Sequence, residues 1–265
     1  MIPIRDANPT RRTPWITLVL IAANVLVFLV WQPTFGDPAE QQAFYYCNAE
    51  IPWEVSHQAN LASGGAEARQ ALNAELGSGA GRDIQRFLQR ECPSKSWLAS
   101  VFVAMFLHGG WLHIAGNMLF LWVFGNNVED RLGRLLFAAF YVLGGIAAML
   151  LQLAFDVGST LPTVGASGAI AAVLGAYLVL FPRARVTTLV IFFVITWIQL
   201  PAWIVLVGWF VLQVFSGVGQ LGTELSGGVA YWAHIGGFAF GAGIVWLFLR
   251  GRRPRVSLPP RPDYS

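Results

Sequence analysis

Ser167 opens a short apolar segment in the sequence Gly165-Ala166-Ser167-Gly168, and His234 opens another 67 residues later. Ser167 stands 16 residues before Arg183, and His234 stands 16 before Arg250. If those arginines mark one membrane face, a rise of about 1.5 Å per residue puts both groups roughly 24 Å above it. That is inside a hydrocarbon layer about 30 Å thick. Polar side chains are costly there, which makes them functional candidates. A serine becomes a nucleophile when a neighbouring base takes its proton, and His234 is a base at the matching depth. The start of a helix adds free backbone N–H groups and a dipole that favours negative charge.

An acyl-transfer site also needs donors for the oxyanion. The run His108-Gly-Gly-Trp-Leu-His113-Ile-Ala-Gly-Asn117 opens another apolar segment, with His113 and Asn117 four apart on one helix face. Counted from Arg131, they stand 18 and 14 residues up, bracketing the height of Ser167 and His234. No Asp or Glu lies in this layer, so the chemistry is that of a serine–histidine dyad. Ser167, Ala171 and Gly175 form one small-residue stripe, and His234, Gly237 and Gly241 form another. This spacing lets membrane helices approach closely. Each residue alone has a structural reading: Ser167 as a helix cap, His234 and Asn117 as packed polar groups, Gly237 and Gly241 as helix packing. His108 reads as structural, tying down the segment before the helix. No zinc motif His-Glu-x-x-His and no aspartyl motif Gly-x-Gly-Asp occurs. The expected chemistry uses no metal and no cofactor.

The elements that position these groups follow from composition. The chain has 265 residues, 55% hydrophobic and 12% charged, with mean hydropathy +0.56. A soluble domain carries about 25% charged residues, so this is a polytopic membrane protein. The net charge of +3 comes from arginines beside apolar segments. This is a positive-inside pattern and excludes a nucleic-acid partner. Six spans account for the apolar runs: Trp15–Trp31 as an uncleaved signal anchor, Leu112–Val128, Leu135–Phe155, Ser167–Phe181, a fifth from about Ala202 to Phe215, and His234–Leu249. The arginines at 5, 11, 12, 131, 134, 183, 185, 250, 252, 253 and 255 then share one side, which places both termini in the cytosol. Splitting 186–215 at Pro201 would make a seventh span and put the C-terminal arginines outside. The β-branched run Val186–Thr196 favours extended chain instead.

Residues 1–14 are expected as a cytosolic N-terminal segment, 15–250 as the six-helix membrane domain and 251–265 as a disordered cytosolic tail. The first loop, 32–97, is extracytosolic. Ala66–Leu76 and Asp83–Arg90 have helical composition, with hinges at Ser63-Gly64-Gly65 and Gly77–Gly81, and Leu98–Leu107 is too short to span. Cys47 and Cys92 lie in this loop. A disulfide between them is one reading and free thiols the other.

Together these residues resemble the rhomboid intramembrane serine proteases. The resemblance rests on the His108–Asn117 motif, Glu129-Asp130-Arg131-Leu132-Gly133, Gly165-Ala-Ser167-Gly168 and Ala233-His234-Ile-Gly-Gly237-Phe-Ala-Phe-Gly241. It covers roughly residues 98–249. It implies an all-α bundle in which Ser167 is nucleophile, His234 general base and acid, and His113, Asn117 and the Ser167 N–H the oxyanion hole. It further implies a Glu129–Arg131 clamp, a cap loop at Ser216–Tyr231, and transmembrane proteins with small residues at the cut as substrates. Some members carry a tyrosine one turn after the nucleophile, stacked on the histidine. Here that position is Ala171, which leaves Phe238 or a neighbouring aromatic to orient His234. Ser96-Trp97-Leu98-Ala99 stands where some members have a Trp-Arg pair. The alternative is a catalytically silent binder of membrane helices. The expected location is the cell membrane, plasma or inner, and the oligomeric state is left open.

Overall fold

The computed structural model describes residues 2–191, 195–220 and 229–250. The tail expected to be disordered, 251–265, lies outside them, as does the middle of the expected cap loop, 221–228.

The architecture is mainly helical. Strand β1 (Ile2–Asp6) leads to helix α1 (Trp15–Leu26), which continues as a π-helical turn, Val27–Trp31. Four short helices fill the first loop: α2 (Pro38–Asn48), α3 (Pro52–His57), α4 (Gly65–Leu76) and α5 (Ala80–Glu91). Helix α6 (Trp97–Ala104) precedes a long irregular rod of α7 (Trp111–Phe120), a π-helical turn (Leu121–Gly125) and α8 (Asn126–Leu132). Then come α9 (Arg134–Phe155), α10 (Ser167–Leu180), strands β2 (Arg185–Ile191) and β3 (Ile195–Pro201), α11 (Ala202–Gln220) and α12 (Tyr231–Arg250). Among the described residues, three stretches are long and apolar enough to cross a membrane: Arg134–Phe155, Ala202–Gly219 and Tyr231–Leu249. Trp15–Trp31 and Ser167–Leu180 are shorter apolar helices.

Helix α10 is the centre of the molecule. Every residue from Gly168 to Tyr177 is buried. A helix apolar on all sides must be covered on all sides, and α9 and α12 flank this one. The contact with α12 is as close as two backbones allow. A Cβ added to Gly241 would lie 1.9 Å from the Ala172 carbonyl oxygen, one on Gly237 2.1 Å from that of Gly168, and one on Gly175 2.1 Å from that of Phe238. Ala171 is fully buried against Gly237 in the same seam.

The expectation of an all-α protein is corrected by a three-stranded antiparallel sheet in the order β1-β2-β3. The β-branched run at 186–191 pairs with Ile195–Pro201 on one side and with the N-terminal segment on the other. Asp6 fastens the sheet to the bundle by accepting hydrogen bonds from Tyr177 Oη and Asn127 Nδ2, both at 2.7 Å.

Two further corrections concern helix ends. Helix α12 begins at Tyr231, so His234 sits within its first turn and does not open it. Among the described residues no ion pair joins Glu129 to Arg131, which is exposed. Glu129 is buried and instead accepts from Ile16 N (3.0 Å), Thr17 N (2.8 Å) and Thr17 Oγ1 (2.8 Å). It therefore satisfies orphan N–H groups at the start of α1, where a carboxylate also suits the dipole.

The first loop has its own small core of Tyr46, Ile51, Trp53, Leu61, Ala68, Leu72 and Leu88. The Cys47–Cys92 disulfide closes it, joining α2 to the end of α5. Lys95 Nζ is buried against Glu54 Oε2 at 2.7 Å and donates to the Tyr46 carbonyl.

Candidate active site

Ser167 is presented by a braced loop. Gly165 has φ +133°, a region open to glycine and closed to most side chains. Its N–H donates to the Ala104 carbonyl at 2.9 Å, tying the loop to α6. The first-loop helices hold the approach to it. Glu75 accepts from Thr160 N (2.5 Å), Thr160 Oγ1 (2.6 Å) and Ser159 Oγ (2.9 Å), while Thr163 N donates to the Glu50 carbonyl at 2.7 Å.

The structure brings together the residues that the sequence singled out. Ser167 Oγ and His234 Nε2 are 2.7 Å apart. Gly168, Gly237 and Gly241 allow this, because the seam between α10 and α12 leaves a short serine within reach of a histidine. His113 Nδ1 accepts from the Gly109 N–H at 3.2 Å, so its proton sits on Nε2. A Cβ on Gly165 would lie 3.0 Å from that Nε2 and 3.4 Å from Ser167 Oγ. The gap between nucleophile and donor thus exists only because residue 165 is glycine. Asn117 is buried, and its Nδ2 has no partner among the described residues. The Ser167 N–H, in the first turn of α10, lacks a partner within its helix.

His108 is fully buried beside His113, ring centroids 5.1 Å apart. Its backbone carries a structural job: Gln32 Nε2 and Tyr45 Oη donate to its carbonyl, and its N–H donates to Gln32 Oε1 at 2.9 Å. This joins the end of α1 and the first loop to the turn before α7.

A cavity of about 50 Å³ opens beside Ser167. Small residues such as Ala104, Gly145, Ala148 and Ala233 line it together with the larger Val101, Met105 and Met149, and Glu50 and Gln152 border it. Burial pushes the Glu50 carboxyl up to about 7, against the opposing field of Lys95. Glu54 is likewise raised by burial, and burial lowers Lys95.

The sequence did not single out Gln213. Its Oε1 lies 2.8 Å from His234 Nδ1, and its Nε2 donates to the Trp209 carbonyl at 3.4 Å. Of the aromatics expected to orient the histidine, Phe238 or a neighbour, the neighbours lie beside it: Phe238 packs on Phe210 and Trp209, while among the described residues the rings beside His234 are Trp209 at 5.7 Å and Tyr231 at 6.4 Å. The only available signal was an amide four residues after a tryptophan on an otherwise apolar helix, which is also how a surface glutamine looks.

Fold and site define a class: a helical membrane protein with a serine and a histidine joined across two tightly packed helices. Comparison with known proteins agrees, for the family model described as "Rhomboid domain" matches residues 95–251. The chain belongs to the rhomboid family. Among curated proteins it is similar to Rhomboid protein 1, mitochondrial, of Saccharomyces cerevisiae, 32% identical over 109 residues, covering 40% of this chain and 32% of that protein. It is similar to Presenilin-associated rhomboid-like protein A, mitochondrial, of Danio rerio, 32% identical over 108 residues, covering 38% and 28%. A longer match, 28% identical over 192 residues, is to Presenilin-associated rhomboid-like protein, mitochondrial, of Mus musculus, covering 67% and 46%. The chain thus spans less than half the length of these relatives. Their names overturn the expected location in the cell membrane. Hydropathy marks a chain as one for a bilayer, but carries no mark of which bilayer it is.

Proposed function

We propose that this protein is an intramembrane serine endopeptidase that cleaves transmembrane helices near the end remote from the arginine-rich face. The single observation that carries the reading is the 2.7 Å approach of His234 Nε2 to Ser167 Oγ beside the gap left open by Gly165. In the reaction, the hydroxyl proton passes to Nε2 as Oγ bonds to the scissile carbonyl carbon. Negative charge on the carbonyl oxygen is met by His113 Nε2–H, Asn117 Nδ2 and the Ser167 N–H. One such donor is typically worth about 3 kcal/mol of barrier. Collapse expels the amine, which takes the proton from His234. Water, losing a proton to the same nitrogen, then releases the acid and restores Oγ–H. The small cavity beside Ser167 favours a small side chain at the cut. A helical peptide bond is shielded, so the substrate helix must unwind locally first.

In this reading six helical segments span the bilayer within residues 15–250, and both termini share the arginine-rich face. The first loop, 32–97, lies on the other face. Substrates are transmembrane proteins, and the relatives' names favour a mitochondrial membrane as the compartment. The test is labelling of the purified chain with a fluorescent fluorophosphonate, beside Ser167→Ala and His234→Ala, together with cleavage of a single-span substrate. Labelling and cleavage by the unsubstituted chain alone support the proposal. Equal labelling of all three, or none with no cleavage, overturns it in favour of a silent helix binder.

A further inference from the structure

Helix α11 contributes a third side chain to the pair. We infer that Gln213 is a positioning residue that fixes the tautomer of His234, so that Ser167, His234 and Gln213 act as a neutral triad. This rests on the protease reading above. Gln213 Oε1 can only accept, and at 2.8 Å from Nδ1 it requires the imidazole proton there. That leaves Nε2 with its lone pair toward Ser167 Oγ, the state in which a base can take the hydroxyl proton. The amide is itself oriented: its Nε2 donates to the Trp209 carbonyl one turn earlier, which turns Oε1 to the histidine. Trp209 also lies tilted against the imidazole, with centroids 5.7 Å apart.

The position answers a geometric problem. Residue 171 is an alanine buried in the close seam with Gly237. With only a methyl group at position 171, α10 offers the imidazole no ring to stack on, so its orientation comes from another helix. A neutral amide also suits the setting. A carboxylate at this depth would be a buried charge whenever the histidine is neutral, whereas an amide accepts the same hydrogen bond without one. When the proton arrives from Ser167, the ring carries protons on both nitrogens. The Nδ1–H donation to Gln213 then becomes charge-assisted and strengthens.

The experiment compares Gln213→Leu, Gln213→Met and Gln213→Glu in the full chain, in detergent or bicelles. Removing the acceptor frees the ring to place its proton on Nε2, where it faces Ser167 as a donor and cannot act as base. Leu and Met are expected to lower kcat by about 10- to 100-fold with KM nearly unchanged, while Glu, which keeps an acceptor, retains activity. Nitrogen NMR of the 15N-histidine-labelled chain, with His234 assigned by its loss in His234→Ala, reads the tautomer directly. The expected wild-type form is Nδ1–H, and Gln213→Leu is expected to show a mixture. Wild-type kcat in Leu and Met, or an Nε2–H form in the unsubstituted chain, overturns the inference. The NMR arm on the unsubstituted chain decides the matter even where a variant does not fold. Failure of the unsubstituted chain to label or cleave would instead count against the protease reading, and leaves the tautomer measurement standing.

Discussion

Nε2 of His234 lies 2.7 Å from Oγ of Ser167, although the residues are 67 positions apart in sequence and sit on different helices. A hydrogen bond of that length between a serine and a neutral imidazole is the geometry that the proposed acyl transfer requires. Ser167→Ala and His234→Ala are each expected to reduce cleavage by more than about 10³-fold. Because the two groups act as one unit, the double variant should lose little more. Single-turnover cleavage of a labelled single-span substrate measures all three.

Gly165→Ala is expected to abolish activity while leaving fluorescence-detected folding largely intact. The added methyl would wedge between His113 Nε2 at 3.0 Å and Ser167 Oγ at 3.4 Å, and φ +133° strains any side chain. The strain costs on the order of 1–3 kcal/mol. A variant that folds, labels and cleaves like the wild type would show that the gap is not where the oxyanion forms.

The α10–α12 seam predicts a different pattern for Gly241. A Cβ there meets the Ala172 carbonyl at 1.9 Å, backbone against backbone. Gly241→Ala should therefore lower stability by about 1–3 kcal/mol, and Gly241→Val by more. Activity should fall in step, because the same separation pulls His234 from Ser167. Thermal unfolding in detergent, read beside cleavage, checks this; Gly243, with open space around its Cβ position, serves as the control.

Glu50 sets a pH dependence in the first-loop core. Burial pushes its carboxyl from an ordinary 4.5 up to about 7, so between those values the folded chain holds a proton that the unfolded chain has lost. Stability should therefore fall as pH rises from about 4.5 to 7, by on the order of 3 kcal/mol. Glu54, also raised by burial, acts in the same direction. Glu50→Gln should flatten most of the slope, read by hydrogen exchange of the first-loop amides across that pH range. An unchanged slope would mean that Glu50 ionises freely in the folded state.

The Cys47–Cys92 bridge spans 45 positions. Closing such a loop removes unfolded-state entropy worth about 4 kcal/mol in the chain-entropy account. Reduction, or Cys47→Ser with Cys92→Ser, should loosen the first loop and speed proteolysis between α2 and α5. It should also slow cleavage of substrate, since Glu75 and Glu50 in this loop brace the segment leading to Ser167.

Much of this was legible in the one-dimensional chain, for identifiable reasons. Bilayer thickness and helix rise convert residue counts into depth, so Ser167, His234, His113 and Asn117 could be assigned to one layer without knowing any contact. Small-residue spacing showed which faces of α10 and α12 could touch. A β-branched run marked β2, and two cysteines in one loop left the disulfide as one of two readings. Other features needed the folded molecule. The N-terminal strand pairs with β2, Ile2 opposite Leu189 and Asp6 opposite Val186, and nothing in Ile2–Asp6 names that partner. The resemblance pairs Glu129 with Arg131, yet the donors to Glu129 are Ile16 N, Thr17 N and Thr17 Oγ1, because the start of α1 packed alongside has N–H groups that its own helix cannot satisfy. Gln213 carried only a signature that a surface glutamine shares. Depth is a one-dimensional quantity that sequence spacing can carry. Which side of a helix meets which atom of another depends on crossing angle and rotation, and only the packed tertiary structure decided that the amide of α11 faces the histidine of α12.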